Sequence, residues 1–276
     1  MSTAITADRG GVEARGRVTQ GRLLRSEWTK LWSLRSTRWS LLAAFVAMGA
    51  GGIVSAVVSM GQWSRLSAHD RATFDSVDTA VIGLNGAQLA IGVLGVLVVS
   101  GEYSTGMIHA SLLAAPRRLP VLWAKIGVFA AVTFVLMLLA STISFFAVQL
   151  IVGEHHQQHA IGDPGALRVV IGTALFLTVL GIMTTGMGAL VRSSAGGIAM
   201  FVGALLVVRL LVKFLPSSIA DSVVAYLPSS AGTTVATHTL FEDAHHLSTW
   251  GGLALFCGYA ALGVIAGAVV LTRRDA

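Results

Sequence analysis

The chain has 276 residues, 54% of them hydrophobic and only 12% charged, with a formal net charge of +6 and a mean hydropathy of +0.77. That is more apolar side chain than a globular core of this length buries, so the composition excludes an ordinary water-soluble domain and places the chain in a bilayer. A single cysteine, Cys257, excludes an intrachain disulfide.

Residues 1–21 carry Gly10, Gly11, Gly16 and Gly21 among scattered charges, show no apolar periodicity, and read as a disordered tail. No cleavable signal peptide is expected, because the first long apolar run begins only at Trp39. Between them, residues 22–38 form an amphipathic pattern. Leu23, Leu24, Trp28, Leu31, Trp32 and Leu34 gather on about half of a helical wheel, opposite Arg22, Arg25, Thr29, Lys30 and Ser33. A helix of this kind lies in the membrane interface; the plainer alternative is a basic flank that orients the first span. Glu27 and Arg35 fall inside the apolar sector, which predicts that part of that face meets protein.

Crossing about 30 Å of hydrocarbon takes about 20 apolar residues at 1.5 Å rise each. Six runs are long enough: 39–60, 80–99, 126–152, 169–191, 195–215 and 250–271, which together make one domain over 39–272. Basic residues in short loops resist translocation. With the N-terminus inside, fourteen Lys and Arg residues fall on the inner side, from Arg9 to Arg274, against Arg65, Arg71, Arg168 and Lys213 outside. The sequence therefore predicts a multi-pass protein of the cell membrane with both termini cytoplasmic. Its basic excess is that of an inner membrane face and requires no nucleic acid.

Within the runs, Gly49, Gly51 and Gly52 predict close packing of the first span. The loop that follows is acidic at Asp70, Asp75 and Asp78, without catalytic spacing. Asn85 and Gln88 put two amides into the second span, where they face either other helices or a substrate path. The third span is about 27 residues long, which implies tilt or extension. His155, His156 and His159 sit beside Glu154 in the next loop, at a spacing that suits either a metal grip or a solvated loop; His245 and His246 read the same way. A tight hairpin at 191–194 joins spans four and five, whose glycines at 181, 186, 188, 196, 197 and 203 suit close packing. Arg209 lies one turn before Lys213 in span five. It either snorkels to the headgroups, faces a substrate path, or pairs with Asp221 or Glu242. Residues 216–249 are too polar to span, yet hold an apolar patch from Ile219 to Leu227 closed by Pro228. Gly263 and Gly267 in span six have the GxxxG spacing of a helix-dimer signal, weak by itself.

The polar stretch 101–125 interrupts two long apolar runs. Glu102-Tyr103, Gly106, then Pro116-Arg117-Arg118 and Lys125 opening span three resemble the first cytoplasmic loop of type-2 permeases, the membrane subunits of a class of ABC exporters. SEWTKLWSLRST near the N-terminus, LPSSAG at 227–232 and the Arg-Arg-Asp-Ala end are also similar to actinobacterial members of that family, so nearly the whole chain is covered. The resemblance implies an all-α membrane protein: an amphipathic helix before six transmembrane helices, a coupling helix in loop 101–125 that docks on a separate ATPase, and short re-entrant helices between spans five and six. It assigns ATPase coupling to Glu102, Tyr103, Gly106, Arg117 and Arg118, and leaves Asn85, Gln88 and Arg209 as the possible substrate path. The residues themselves agree in part, since Thr105 to Ala115 is helix-compatible, Pro116 stops it, and Arg117, Arg118 and Lys125 hold the loop at the surface. Glu102 is expected to pair with a base in the N-terminal helix or on the partner. A connector that serves only orientation is the alternative.

No G-x-x-x-x-G-K-S/T occurs, so ATP is expected on a partner subunit and no cofactor, metal or catalytic residue is assigned to this chain. H-E-x-x-H and G-x-S-x-G are also missing, and the spans lack the acids of a proton relay. The expectation is an exporter permease that forms a homodimer or a heterodimer with a close relative, binds two ATPase subunits, and moves a small hydrophobic compound, drug, peptide or lipid-like substrate. The competing classes are a non-transporting membrane sensor or assembly factor, and an intramembrane enzyme.

Overall fold

The computed structural model describes residues 20–104, 106, 118–153, 158–212, 214, 216, 223–238 and 247–273, the side chains of Arg118 and Arg209 excepted. Among them every regular element is helical. The amphipathic segment forms α1 (Gln20–Ser33), beginning inside what the sequence presents as tail. One extended residue, Leu34, separates it from α2 (Arg35–Gly61). Two short helices follow, α3 (Ala68–Ala72) and α4 (Ser76–Ala80), then α5 (Leu84–Ser104), α6 (Arg118–Val152), α7 (Ala166–Val191) and α8 (Ser194–Val202). A wide π turn over Gly203–Val207 leads into α9 (Val208–Val212). After α10 (Pro228–Thr233) the described chain closes with α11 (Thr249–Arg273).

Six stretches are long and apolar enough to cross a bilayer: 35–61, 76–104, 119–152, 166–191, 194–212 and 249–273. The chain is a multi-pass membrane protein. Alternation of the six helices brings α1, the start of α2 and the end of α11 to one face of the bundle, called here the terminal face. The opposite end is the far face.

α7 is the central post. Sixteen of its 26 residues are buried, against six of 27 in α2 and six of 25 in α11, and it packs on α5, α6 and α11. In lipid nothing but packing and hydrogen bonds holds helices together, so the post is lined with small residues that let backbones approach. Gly186 lies against the backbone at Gly263, and Gly267 against the carbonyl of Gly186. The GxxxG pair of α11 is therefore spent inside the chain, on α7, and is not a dimer face. Of the first-span glycines, Gly51 meets Gly83 and Gly52 meets Ala80 and Ser144, while Gly49 touches nothing. A side chain at Gly83 would strike the carbonyls of Ala47 and Met48, so α2 and α5 cross there with no room for a methyl group. Large apolar side chains such as Val54, Val58, Leu262 and Ile265 point outward, where lipid covers them.

Several boundaries differ from the sequence reading. α5 continues to Ser104 and α6 already begins at Arg118, with Pro120 in its first turn, where a missing N–H costs nothing. The loop expected over 101–125 thus contracts to 105–117. Lys125, expected to hold that loop at the surface, lies two turns inside α6 and is only 6% exposed. Arg35, expected on the protein-facing side, is exposed. The proposed coupling helix over 105–115 lies outside the described residues, apart from exposed Gly106 at a φ of 71°. Between spans five and six, Gly232 of α10 packs against Phe176 and Phe256. Those rings sit ten and seven residues from the far ends of α7 and α11, about 15 and 10 Å into the bundle. The two rings stack at 5.2 Å.

Candidate functional site

At the terminal face, four charges close into a ring. Glu27 of α1 accepts from Lys30 through Oε1 at 2.8 Å and from Lys125 of α6 through Oε2 at 2.7 Å. Glu102, at the end of α5, receives both lysines on one oxygen: Lys30 Nζ at 3.0 Å and Lys125 Nζ at 2.9 Å from Oε1. Its other oxygen, Oε2, is buried without a hydrogen-bond partner among the described residues. The ring is neutral in sum, and Glu27, Glu102 and Lys125 are each less than a tenth exposed.

Helix geometry explains how the ring assembles. Glu27 and Lys30 stand three apart on α1, one above the other. The same turn buries Leu31. Leu24, Trp28 and Trp32 form a second stripe on α1 that stays exposed, with the two indoles 5.8 Å apart, as an interfacial anchor requires. One side of α1 therefore faces lipid and the other seats a charge on α5 and α6. At Lys30, burial pulls the ammonium toward the neutral form, but the hydrogen bond to Glu27 and the charges of Glu102 and Glu27 outweigh it; its pKa stands above the ordinary lysine value. Removing one member of a buried charge set leaves the others uncompensated, at a cost of about 3–5 kcal/mol.

Tyr103, the next residue, turns the other way. The Arg192 guanidinium lies 5.2 Å from its ring centre, and Arg192 also donates to the carbonyl of Val270 at 2.9 Å. Arg192 has a φ of 56° as the cap that ends α7. Ser100 and Ser194 meet at 3.0 Å nearby. The end of α5 is thus fastened to α1 and α6 through Glu102, and to α7 and α11 through Tyr103. Neither residue is a free docking surface; both anchor the root from which 105–117 emerges. Arg118 opens α6, the other root, and Arg117 lies outside the described residues.

Below the ring, a cavity of about 270 Å³ opens between α1, α2, α5 and α6. The ring, Ser33, Ser36, Thr37 and Ser40 line its polar part, and Leu94, Leu97, Val98 and Val128 its apolar part.

The far face holds a second cluster. His238 Nδ1 is 2.6 Å from Asp75 Oδ2 and Nε2 is 3.0 Å from the carbonyl of Pro164, while its backbone N–H donates to Asp78 Oδ1 at 2.6 Å. Both ring nitrogens face acceptors, an arrangement that favours the imidazolium form. Burial pushes the His238 pKa down, but the bonds to Asp75 and Pro164 and the charges of Asp75 and Asp78 raise it above the ordinary value. Asp75 moves the opposite way: burial pushes it up, and His238 together with the N–H groups of Asp78 and Val77 carries it below the usual carboxylate range. His159 stacks edge-on at 5.5 Å and bonds Ser76 at 2.9 Å. Arg168 donates to the carbonyls of Thr234, Val235 and Thr237 at 3.1–3.4 Å. One histidine ring therefore ties together the three connections of this face.

Of the residues expected along a substrate path, Asn85 and Gln88 lie on one turn of α5. Asn85 is exposed in the first turn of α5 and donates to its own neighbour, the carbonyl of Ile82, at 3.1 Å, so it makes no bond to another helix. Gln88 is half-buried one turn on. Arg209 lies on α9, with its side chain and its suggested partners Asp221 and Glu242 outside the described residues. His155, His156, His245 and His246 also lie outside them, and no group of three His, Cys, Asp or Glu side chains suits a metal among the residues described. The base expected for Glu102 in the N-terminal helix is Lys30; sequence reasoning missed Lys125 as a buried partner and His238 altogether, although Glu27, an acid on an apolar helix face, signalled a protein contact. Compared with known proteins, the chain matches no family model and no curated relative.

Proposed function

We propose that this membrane protein is the membrane-spanning permease subunit of an ABC exporter, working in the cell membrane with its terminal face toward the cytoplasm. It pairs with a second copy or a close relative, and a separate P-loop ATPase docks on the loop between α5 and α6. The single observation that carries the reading is the buried ring of Glu27, Lys30, Glu102 and Lys125, which joins α1 to both roots of that loop. A soluble motor that pushes on a loop does work on a membrane domain only if the roots move as one body. A neutral, largely buried charge set supplies that stiffness, because its bonds are stronger where they are desolvated and costly to break. The bias of Lys and Arg toward the terminal face supports the orientation. The resemblance of the 101–125 stretch supplies the transport class, and the oily interior suits a small hydrophobic compound, drug, peptide or lipid-like cargo.

The test is purification of the tagged chain in mild detergent from cells that express its native locus, with mass spectrometry of what accompanies it and an ATPase assay of the complex. A co-purifying P-loop ATPase, whose association falls in a double Arg117→Glu, Arg118→Glu variant that still inserts normally, is the expected result. A stable complex with no ATPase overturns the reading in favour of a non-transporting membrane protein.

A further inference from the structure

We infer that the rim formed by α1 and the first turn of α2 is a binding surface for anionic phospholipid headgroups of the leaflet at the terminal face, which it selects by net charge. The inference rests on the membrane spans alone and not on the ATPase reading.

Three observations define its partner. The first is unmatched charge. Arg22 and Arg25 of α1 and Arg35 and Arg38 of α2 are all exposed, and none makes a side-chain hydrogen bond or ion pair. Among the described residues of this face the acids are Glu27 and Glu102, and both are spent on Lys30 and Lys125. Four guanidinium groups therefore stand together with no described carboxylate to answer them. Each keeps its charge at any ordinary pH and offers a planar fork of N–H donors that fits phosphate oxygens.

The second is what lies beneath the charges. Arg35, Trp39, Leu42 and Val46 are spaced four, three and four apart, so they share one side of α2, and all four are exposed. Arg38 stands one turn before Leu42 on the flank of that row. From Arg35 to Val46 is about 16 Å along the helix axis. Guanidinium, indole and aliphatic side chain follow one another inward, which is the order of phosphate, interface and hydrocarbon in one leaflet.

The third is the division of α1 into three sides. Glu27 and Leu31 are buried against protein, and Leu24, Trp28 and Trp32 form the exposed apolar row. Arg25, three before Trp28, borders that row on the side away from Glu27, and Arg22 lies three before Arg25. A basic edge thus separates the apolar side from water, as on a helix that rests in an anionic interface. A soluble acidic protein would meet the guanidinium groups and leave the apolar rows beside them bare; a lipid covers both.

The experiment incubates the purified full-length chain in mild detergent with equal amounts of phosphatidylglycerol, phosphatidylserine and phosphatidylcholine, removes unbound lipid by gel filtration at low salt, and counts what is retained by mass spectrometry. The first two lipids carry one net negative charge and the third none. One base at a membrane surface contributes about fivefold, so with one arginine of each pair engaged the two anionic lipids should be retained alike, about 25-fold over phosphatidylcholine. Arg35→Gln with Arg38→Gln should lower that preference about fivefold, as should Arg22→Gln with Arg25→Gln, and all four changes together should bring it to parity. Lysine at the same four positions should keep it. In the unaltered chain, salt at about 1 M shortens the screening length to about 3 Å and should also bring parity, so the test stands even where a variant inserts poorly. Equal retention of the three lipids at low salt would mean annular lipid only and sink the proposal. A preference that survives the four glutamines or the high salt would overturn it by placing the selection elsewhere. No lipid preference, together with loss of a co-purifying soluble protein in the glutamine variants, would reassign the surface to a protein partner.

Discussion

The two ends of the bundle are held by opposite kinds of clasp. At the terminal face, four lysine and glutamate side chains from α1, α5 and α6 form a closed ring, three of them buried. At the far face, a single histidine ring, mostly but not fully buried, bridges an aspartate and a backbone carbonyl from other connections. The first uses residue types whose ordinary titrations lie far from neutrality, and the second uses the one type that titrates near it. In a transporter, this difference would give a joint made to transmit force and a joint made to let go.

The comparison can be broken most sharply at Lys125. Lys125→Met leaves two buried carboxylates against one lysine and should destabilise the folded state by about 3–5 kcal/mol, read as loss of monodisperse protein and a lower melting temperature in detergent. Exchanging the sign of all four charges, Glu27→Lys with Lys30→Glu, Glu102→Lys and Lys125→Glu, keeps every contact between opposite charges and should recover much of that loss. If the exchange is as damaging as the single change, the ring is packing and not charge pairing.

At the far face the effects are smaller. His238→Ala or Asp75→Asn should cost about 1–2 kcal/mol, since the lost bonds are charge-assisted but partly solvated. pH sharpens the contrast. The His238 pKa is raised by folding, so its contribution is fully present below the ordinary value of about 6.5 and is lost as pH rises through the folded value. Asp75 is lowered, so its contribution is present above about 3.8 and is lost only as pH falls through a still lower value. The clasp thus holds at moderately acid pH and opens as pH rises through the raised folded pKa of His238. A melting-temperature scan from pH 5 to 9 should decline at the upper end in the wild type and stay flatter in His238→Gln; the same decline in both would assign the pH response elsewhere. Smallest of all, Tyr103→Leu should cost about 0.5–1 kcal/mol through loss of the Arg192 contact, with Tyr103→Phe nearly silent.

The six spans were legible because length and apolarity are local properties, and each apolar run, apart from the last three residues of the fifth, lies within a long helix or a consecutive set of helical pieces. The ends were not. Polarity around Glu102 and Lys125 reads as loop, yet both residues sit in helices, because each neutralises the other and burial then costs less than it would for either alone. Glu27 announced a protein contact by standing on an apolar face, but its partner is 98 positions away and carries no periodic mark. His238 was invisible for the same reason, 163 residues from Asp75. The small residues of α11 announced close packing; only the structure says that the neighbour is α7.

The sequence distance inside the ring also sets a schedule. Lys125 leaves the ribosome 98 residues after Glu27, about 5–20 s later at ordinary rates of synthesis. During that interval α1 exists without the helix that completes its charge set, and an unpaired carboxylate on an apolar face would resist settling at the membrane. Lys30, one turn away and 2.8 Å from Glu27, is made almost at once. It can hold the acid neutral as a local pair until α6 arrives, so one side chain serves first as a chaperone to its neighbour and later as a quarter of the finished joint.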